Sequence, residues 1–366
     1  MSTRRLKVIL EKDSNYDIRV GNRLLVNLGV HLREAIDATK AVIITASNVA
    51  PRYLEKVRAG LAKGGFEVFD LTVPAGEESK SIAVASELWD ALAMLGIGRD
   101  GVVVGLGGGI VGDLAGFVAS TYMRGISCVQ VPTSLLAMVD SSIGGKTAIN
   151  LATGKNLVGT FNQPVYVAAD LETLSTLPDT EWENGFAEIA KSALVDGGGF
   201  YQWLASSAGE LVAHDETVVQ QAIVQALTFK ARVVAGDVEE KEGRRECLNY
   251  GHTFAHALEV VSQYRISHGR AVAEGMRFAA RLATEAVTLP ESFVQAQDTL
   301  LDKLDLKPIA EPFSADDLYE RMFSDKKVRN NELRFVFVSA PGEWEVVTVD
   351  PDLVKIYLIL WEQARM

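Results

Sequence analysis

Three of the five histidines in this 366-residue chain, His252, His256 and His268, fall within 17 residues of one another. His252 and His256 are four apart in a helical pattern, so they share a face. Upstream, a second helical pattern carries Glu188 and Lys191, three apart. Neutral imidazoles and a carboxylate suit zinc or a similar divalent ion. An HxxxH pair alone is more often two histidines on one helix face. The third histidine, ahead of Gly269 at an expected helix start, favours the metal reading. Spacing leaves open which two histidines ligate and whether Glu188 joins them.

A second group of residues points to an anion. The run from Val131 to Lys146, followed by Gly154-Lys155-Asn156, is rich in glycine and hydroxyls. It reads as a long functional loop, too apolar for disorder. Asp140, Lys146 and Lys155 stand in it beside uncharged neighbours. Lysines on glycine-flanked loops can hold phosphate or carboxylate as point charges. The competing reading is a surface loop with solubilising lysines.

A third group suits a dinucleotide. A buried strand from Val102 runs into Gly105, Gly107, Gly108, Gly109 and Gly112, then Asp113. Glycines let backbone N–H groups approach a pyrophosphate, and the following helix N-terminus favours its charge. The spacing is not the usual fingerprint, and no acidic residue ends the next strand to grip a ribose. The segment 74–80, with Glu77 and Lys80, follows a strand and opens a helix. It reads equally well as a capped loop with solvated charges.

Strand-like runs at 16–20, 41–45, 67–73, 102–105 and 128–131, with helical patterns at 52–62 and 82–95, must position the glycines and lysines. Short β-branched strands between amphipathic helices read as a parallel α/β sheet. The texture changes near 172–178. Segments 181–195, 217–234, 252–261 and 271–286 then carry helical periodicity. Near the end, 333–339 and 343–349 pair as a hairpin, and Asp350 caps a last helix through Trp361.

Composition bounds the partners. A net charge of −12 argues against nucleic acid or an anionic membrane. Cys128 and Cys247 are too few for a disulfide framework and read as buried thiols in a reducing cytosol. The start is charged and carries no apolar signal core, so a cytoplasmic protein is expected. The apolar run 101–122 holds Asp113 and seven glycines, so a strand, a turn and a helix explain it better than a membrane span.

Taken in order, these residues resemble the 3-dehydroquinate synthases. The resemblance is carried by Gly107-Gly108-Gly109 with Asp113, Val131-Pro132-Thr133-Ser134, Asp140 through Lys146, and Gly154-Lys155-Asn156-Leu157. It continues through Ala187-Glu188 to Lys191, Arg245 through His256, His268-Gly269 and Asp325-Lys326-Lys327. It spans nearly the whole chain with matching local spacings.

The resemblance implies an N-terminal Rossmann-like parallel-sheet NAD domain, 1–176, followed by a mainly α-helical metal- and substrate-binding domain, 177–366. It implies zinc or cobalt held by Glu188, His252 and His268, with His256 on the substrate side. It implies NAD contacts from Glu77, Lys80, Gly107, Gly108, Gly109, Ile110, Val111, Gly112, Asp113, Thr133 and Ser134. Asn48, Thr173, Leu174, Ser175 and Thr176 would lie nearby. Asp140, Lys146, Lys155, Asn156, Lys191, Lys230, Arg245 and Asn249 would bind substrate, with Lys327 favoured over Lys326, and Lys146 and Lys155 would also border the cofactor. Arg124 would reach a neighbouring subunit's substrate phosphate, which implies a homodimer. The implied reaction turns a seven-carbon sugar acid phosphate into a carbocycle, by transient oxidation by NAD, phosphate elimination, re-reduction and an intramolecular aldol closure.

Two departures stand out. The family usually carries aspartate where this chain has Ala46, which puts the adenosine side of NAD binding in doubt. The stretch 237–244 is one residue longer than the pattern expects. The nearest rivals are sister cyclases such as amino-dehydroquinate synthases, which tend to alter the position of Lys191, intact here. A metal-dependent alcohol dehydrogenase would not be expected to carry this lysine–arginine set. A catalytically dead ligand sensor would be expected to lose a metal ligand.

Overall fold

Among the residues described by the computed structural model (2–10, 15–323 and 332–366) there are eleven strands. They are β1 Arg4–Val8, β2 Tyr16–Gly21, β3 Lys40–Ala46, β4 Glu67–Val73, β5 Val102–Gly107 and β6 Ser127–Pro132. Then come β7 Lys146–Leu151, β8 Gly154–Phe161, β9 Tyr166–Asp170, β10 Leu333–Ala340 and β11 Glu343–Val349. Contacts divide the chain into two compact units, Met1–Pro178 with Lys230–Glu239, and Asp179–Phe229 with Glu240–Met366.

The first unit is built on a seven-stranded sheet in the order β1-β2-β9-β6-β5-β3-β4. Only the β1–β2 pair is antiparallel. Alternation decides the two faces. Ala41, Ile43, Val102 and Val104 face one apolar layer with Leu28, Val57 and Leu61. Val42, Ile44 and Val103 face the other, with Leu88, Leu114 and Val118. Each such fully buried aliphatic side chain contributes roughly 1.5–3 kcal/mol. After β3 the chain steps outward to β4, then returns to the opposite side of β3 as β5. The carboxyl ends of β3 and β5 therefore flank a topological switch point, where open α/β sheets leave a crevice for ligands.

Of the run expected as a loop, Val131 and Pro132 end β6, Ala137–Ser141 is a short helical segment, and Lys146 and Gly154-Lys155-Asn156 lie in an antiparallel hairpin, β7–β8. Thr147 and Ile149 are buried in alternation, and Thr147 Oγ1 lies 2.9 Å from Thr160 Oγ1 across the pair. Gly159 lets the strands close, since a Cβ there would lie 2.2 Å from the Thr147 carbonyl oxygen. Gly154 and Gly159, with the mostly exposed face of β8, had hidden that alternation. β1, with its charged Arg4, Arg5 and Lys7, and the five-residue β9 also escaped the sequence reading.

The second unit is mainly helical, with the small antiparallel hairpin β10–β11 expected from the sequence. The helix Asp179–Asp196 is buried from Asn184 through Val195. The helices His252–Val261 and His268–Ala286 cross at glycines, where a Cβ on Gly275 would lie 2.0 Å from the Gly251 carbonyl oxygen. Phe254 stacks on Phe278 with ring centroids 4.6 Å apart, and Trp361 meets Phe254 edge-on at 5.2 Å. Asp350 caps the helix Pro351–Gln363 by accepting from the Asp352 N–H. The helix Gly198–Val212 was not anticipated, because Gly197, Gly198 and Gly199 at its start read as a break.

Cys128 and Cys247 are both buried and unbridged. Burial pushes their thiols up to about 12 and about 11. Among the described residues no helix is long and apolar enough to cross a membrane.

Candidate metal centre and nucleotide-binding elements

The metal-type residues meet in the second unit. Gly269 packs so closely on Asn184 that a Cβ would lie 2.5 Å from the Asn184 Cα, and its N–H donates to Asn184 Oδ1 at 2.7 Å. That pin sets the first turn of His268–Ala286 against the helix carrying Glu188. His252 opens its own helix after Gly251, whose φ of +79° suits glycine.

The outcome is a three-residue cluster. Glu188 Oε1 lies 3.5 Å from His252 Nε2 and 3.4 Å from His268 Nε2. One ligand atom from each residue lies within 4.8 Å of the other two. Glu188 is 1% exposed; its Oε2 is ion-paired with the Lys191 ammonium, and its Oε1 is the oxygen that faces the imidazoles. A buried carboxylate is costly unless cations meet it, and Lys191 meets it on the Oε2 side. The donor set, one carboxylate oxygen converging with two imidazole nitrogens on the Oε1 side, fits a divalent ion of the zinc type. Both imidazoles turn Nε2 inward and Nδ1 outward, His252 to the Tyr250 carbonyl at 3.1 Å and His268 to Glu259 Oε1 at 3.2 Å. Such outer partners fix ring orientation.

Charge follows from these contacts. Burial opposes ionisation of Glu188, but the Lys191 ammonium and His268 outweigh it and hold its carboxyl down at about 2. Burial likewise disfavours a charged His268, yet hydrogen bonding to Glu188 and Glu259 pushes it up to about 10. Without metal the cluster thus holds a proton where the ion would sit.

His256 lies one turn beyond His252, with ring centroids 5.4 Å apart and planes at right angles. It is not a member of the ligand cluster. Arg245, buried, and Asn249, half-buried, sit on the 3-10 turn Arg244–Asn249.

The nucleotide-type residues meet in the first unit. Gly107 ends β5, Gly108 caps the helix Gly109–Thr121, and Ile110, Val111 and Gly112 form its first turn. A Cβ on Gly107 would lie 2.7 Å from Val111 Cγ2, and one on Gly109 would lie 3.0 Å from Ser141 Oγ. Thr133, buried beside Ser134, donates its N–H to the Gly107 carbonyl at 2.9 Å. Close by, the buried Lys80 donates to Asp113 Oδ2 at 2.6 Å and Asn156 Oδ1 at 2.5 Å. Burial pushes the Asp113 carboxyl above its ordinary value, against the pull of Lys80. Glu77 accepts from Asn150 Nδ2 at 2.8 Å and stands 3.9 Å from Lys155. Asn156 takes a φ of +55°, which asparagine tolerates.

The other expected residues are dispersed over that unit. Lys230 donates to Asp140 Oδ1 at 2.5 Å. Tyr53 fastens the turn Leu171–Thr176, which holds Thr173, Leu174 and Ser175, by donating to the Thr173 carbonyl at 3.0 Å. Asn48, Lys146 and Arg124 are exposed, the last in a turn with φ +68°. Lys326 and Lys327 lie outside the described residues. Sequence reasoning missed Asn150 and Glu259. Only Glu259 had a signal, seven residues after His252 on one helix face.

The chain matches the family model for the 3-dehydroquinate synthase N-terminal region over residues 70–184 and the C-terminal one over 185–328. The chain belongs to the 3-dehydroquinate synthase family. A 3-dehydroquinate synthase from Symbiobacterium thermophilum is 43% identical over 94% of this chain and 97% of its own length. Among solved structures, a 2-deoxy-scyllo-inosose synthase complexed with carbaglucose-6-phosphate, NAD+ and Co2+ superposes with a TM-score of 0.89. It is 27% identical over 98% of this chain and 99% of that one. A 2-epi-5-epi-valiolone synthase from Streptomyces hygroscopicus, with NAD+ and Zn2+ bound, gives a TM-score of 0.86 at 26% identity, over 98% of this chain and 100% of its own. The mixed α/β architecture expected for the 3-dehydroquinate synthase family is thus the observed one.

Proposed function

We propose that the chain is a 3-dehydroquinate synthase, a phosphate-eliminating carbon–oxygen lyase of aromatic amino-acid biosynthesis. It converts 3-deoxy-D-arabino-heptulosonate 7-phosphate into 3-dehydroquinate and phosphate. The observation that carries the reading is the buried Glu188, whose Oε1 faces the Nε2 atoms of both His252 and His268 in a member of this family.

The assignment gives residues 1–176 to NAD and 177–366 to metal and substrate. Glu188, His252 and His268 hold zinc or cobalt. The turn Gly107–Gly109, Glu77, Lys80, Asp113, Thr133 and Ser134 hold NAD, with its pyrophosphate at a helix N-terminus. When bound, NAD+ supplies a hydride acceptor that is regenerated each cycle, and the metal supplies Lewis acidity toward a substrate hydroxyl. The chain's own side chains do the rest. Lys146, Lys155 and Lys230, and on the second unit Lys191 and Arg245, bind substrate carboxylate and phosphate. Such preorganised cations meet the charge that develops as phosphate leaves. Asp140, Asn156 and Asn249 orient hydroxyls, and His256 holds or takes a proton on the substrate side. Arg124 serves a neighbouring protomer in a homodimer, and the setting is the cytoplasm.

The test is product identification. Metal-free protein is incubated with the seven-carbon phosphate and NAD+, with and without Zn2+ or Co2+. The reading requires 3-dehydroquinate only when metal is present. Full activity in metal-free protein overturns the metal assignment. The amino-dehydroquinate alternative, some of whose members also lack the aspartate at the Ala46 position, would be established by turnover of an amino-substituted substrate in preference to this one.

A further inference from the structure

The helix His252–Val261 presents a carboxylate that the ligand set does not use. Glu259 lies two turns beyond His252, and its side chain is only 16% exposed. Its Oε1 is 3.2 Å from His268 Nδ1, while His268 Nε2 is 3.4 Å from Glu188 Oε1. One imidazole is thus held from both sides. A neutral imidazole donates from one nitrogen and offers a lone pair at the other, and the group at the donor side decides which is which. A carboxylate at Nδ1 keeps the hydrogen there and leaves Nε2, on the Glu188 side, to offer its lone pair to a cation. His252 has a different outer partner, the neutral Tyr250 carbonyl at 3.1 Å. An anion polarises an N–H more than a carbonyl does, and so makes the far nitrogen a better donor to a cation.

We propose that Glu259 is a positioning residue for the metal, acting through His268, and that the two histidines are unequal ligands because their outer partners differ in charge. The inference rests on the metal reading above. It gives a reason for an acid on the inward face of this helix, beside Ala255 and Leu258, where burial alone would favour an apolar side chain. A purely structural role, tying together the ends of the helices His252–Val261 and His268–Ala286, is the alternative. Metal affinity separates the two.

The experiment measures the Zn2+ dissociation constant of the full chain by competition with a chromophoric chelator. The unsubstituted chain, Glu259→Gln and Glu259→Ala are compared, with the NAD+ dissociation constant and Tm of each metal-free protein alongside. Glu259→Ala should bind Zn2+ about 10–100-fold more weakly, with NAD+ affinity unchanged. Glu259→Gln keeps an acceptor for Nδ1–H but loses the charge, and should fall between the two. A Zn2+ affinity within twofold of the unsubstituted chain in Glu259→Ala overturns the proposal. If that variant does not fold, the same result in Glu259→Gln overturns it. Absence of stoichiometric Zn2+ binding by the unsubstituted chain overturns the metal reading and this inference with it.

Discussion

His252 and His256 share a helix face, but only His252 Nε2 points at Glu188. His252→Ala should therefore lose Zn2+ outright, whereas His256→Ala should retain it and lose turnover. Metal content after dialysis, read beside phosphate release, decides this. Equal metal loss in both would mean the two roles are wrongly divided. The metal should also compete with a proton. His268, ordinarily near 6.5, is pushed up to about 10 in the metal-free protein, while Glu188 is already ionised. The stability that the His268 proton adds to metal-free protein is complete below pH 6.5 and fades as pH rises toward 10. Across that window each Zn2+ should displace about one proton, and apparent affinity should rise up to about tenfold per pH unit. Calorimetry in buffers of different ionisation enthalpy counts the protons, and pH-independent binding without proton release would refute the assignment. At the other cofactor, Ala46 ends β3 beside the switch point. Ala46→Asp should tighten NAD+ by on the order of 1 kcal/mol if it gains one hydrogen bond to ribose. An unchanged dissociation constant would mean that Ser47 or Asn48 already fills that role.

Elements bring distant residues into register, and here glycines set how closely they approach. Gly275 touches the Gly251 carbonyl at the crossing of the two helices that begin with His252 and His268. On an exposed helix, Gly→Ala gains up to about 1 kcal/mol. Here a methyl 2.0 Å from a backbone oxygen forces the helices apart, and the clash should dominate. Gly275→Ala should cost about 1–3 kcal/mol and weaken Zn2+ binding as well, because both histidines move. A stability unchanged by thermal melting, with Zn2+ affinity intact, would show that the crossing has slack. Periodicity made such helices legible beforehand. The strand at 67–73 and the helix at 252–261 have the bounds read from their patterns. The hairpin β7–β8 was not legible, because Gly154 and Gly159 and the mostly exposed β8 blur the two-residue alternation. Nor could spacing choose among the three histidines. That choice depends on which ring nitrogens face Glu188, a matter of how Gly269 packs on Asn184.

At the scale of the molecule, one chain of net charge −12 combines a nucleotide-type sheet, a metal-type helical cluster and lysines set on glycine-flanked segments. The alternation of strands and helices made the α/β class readable from sequence. The function was readable only because motifs lying far apart in the chain, from Gly107 to His268, keep the family's order. A simple dehydrogenase needs the sheet and the metal, but gains little from Lys146, Lys155, Lys191, Lys230 and Arg245. Within the protein Lys191 pairs with Glu188 and Lys230 with Asp140, and Lys155 stands 3.9 Å from Glu77. A substrate bearing both carboxylate and phosphate would draw on the same cations. The direct measurement is simultaneous assay of inorganic phosphate and NADH absorbance, with the seven-carbon phosphate, catalytic NAD+ and Zn2+. The account predicts many equivalents of phosphate per NAD+ with no net NADH. NADH accumulating in step with substrate consumption, with no phosphate released, would contradict it.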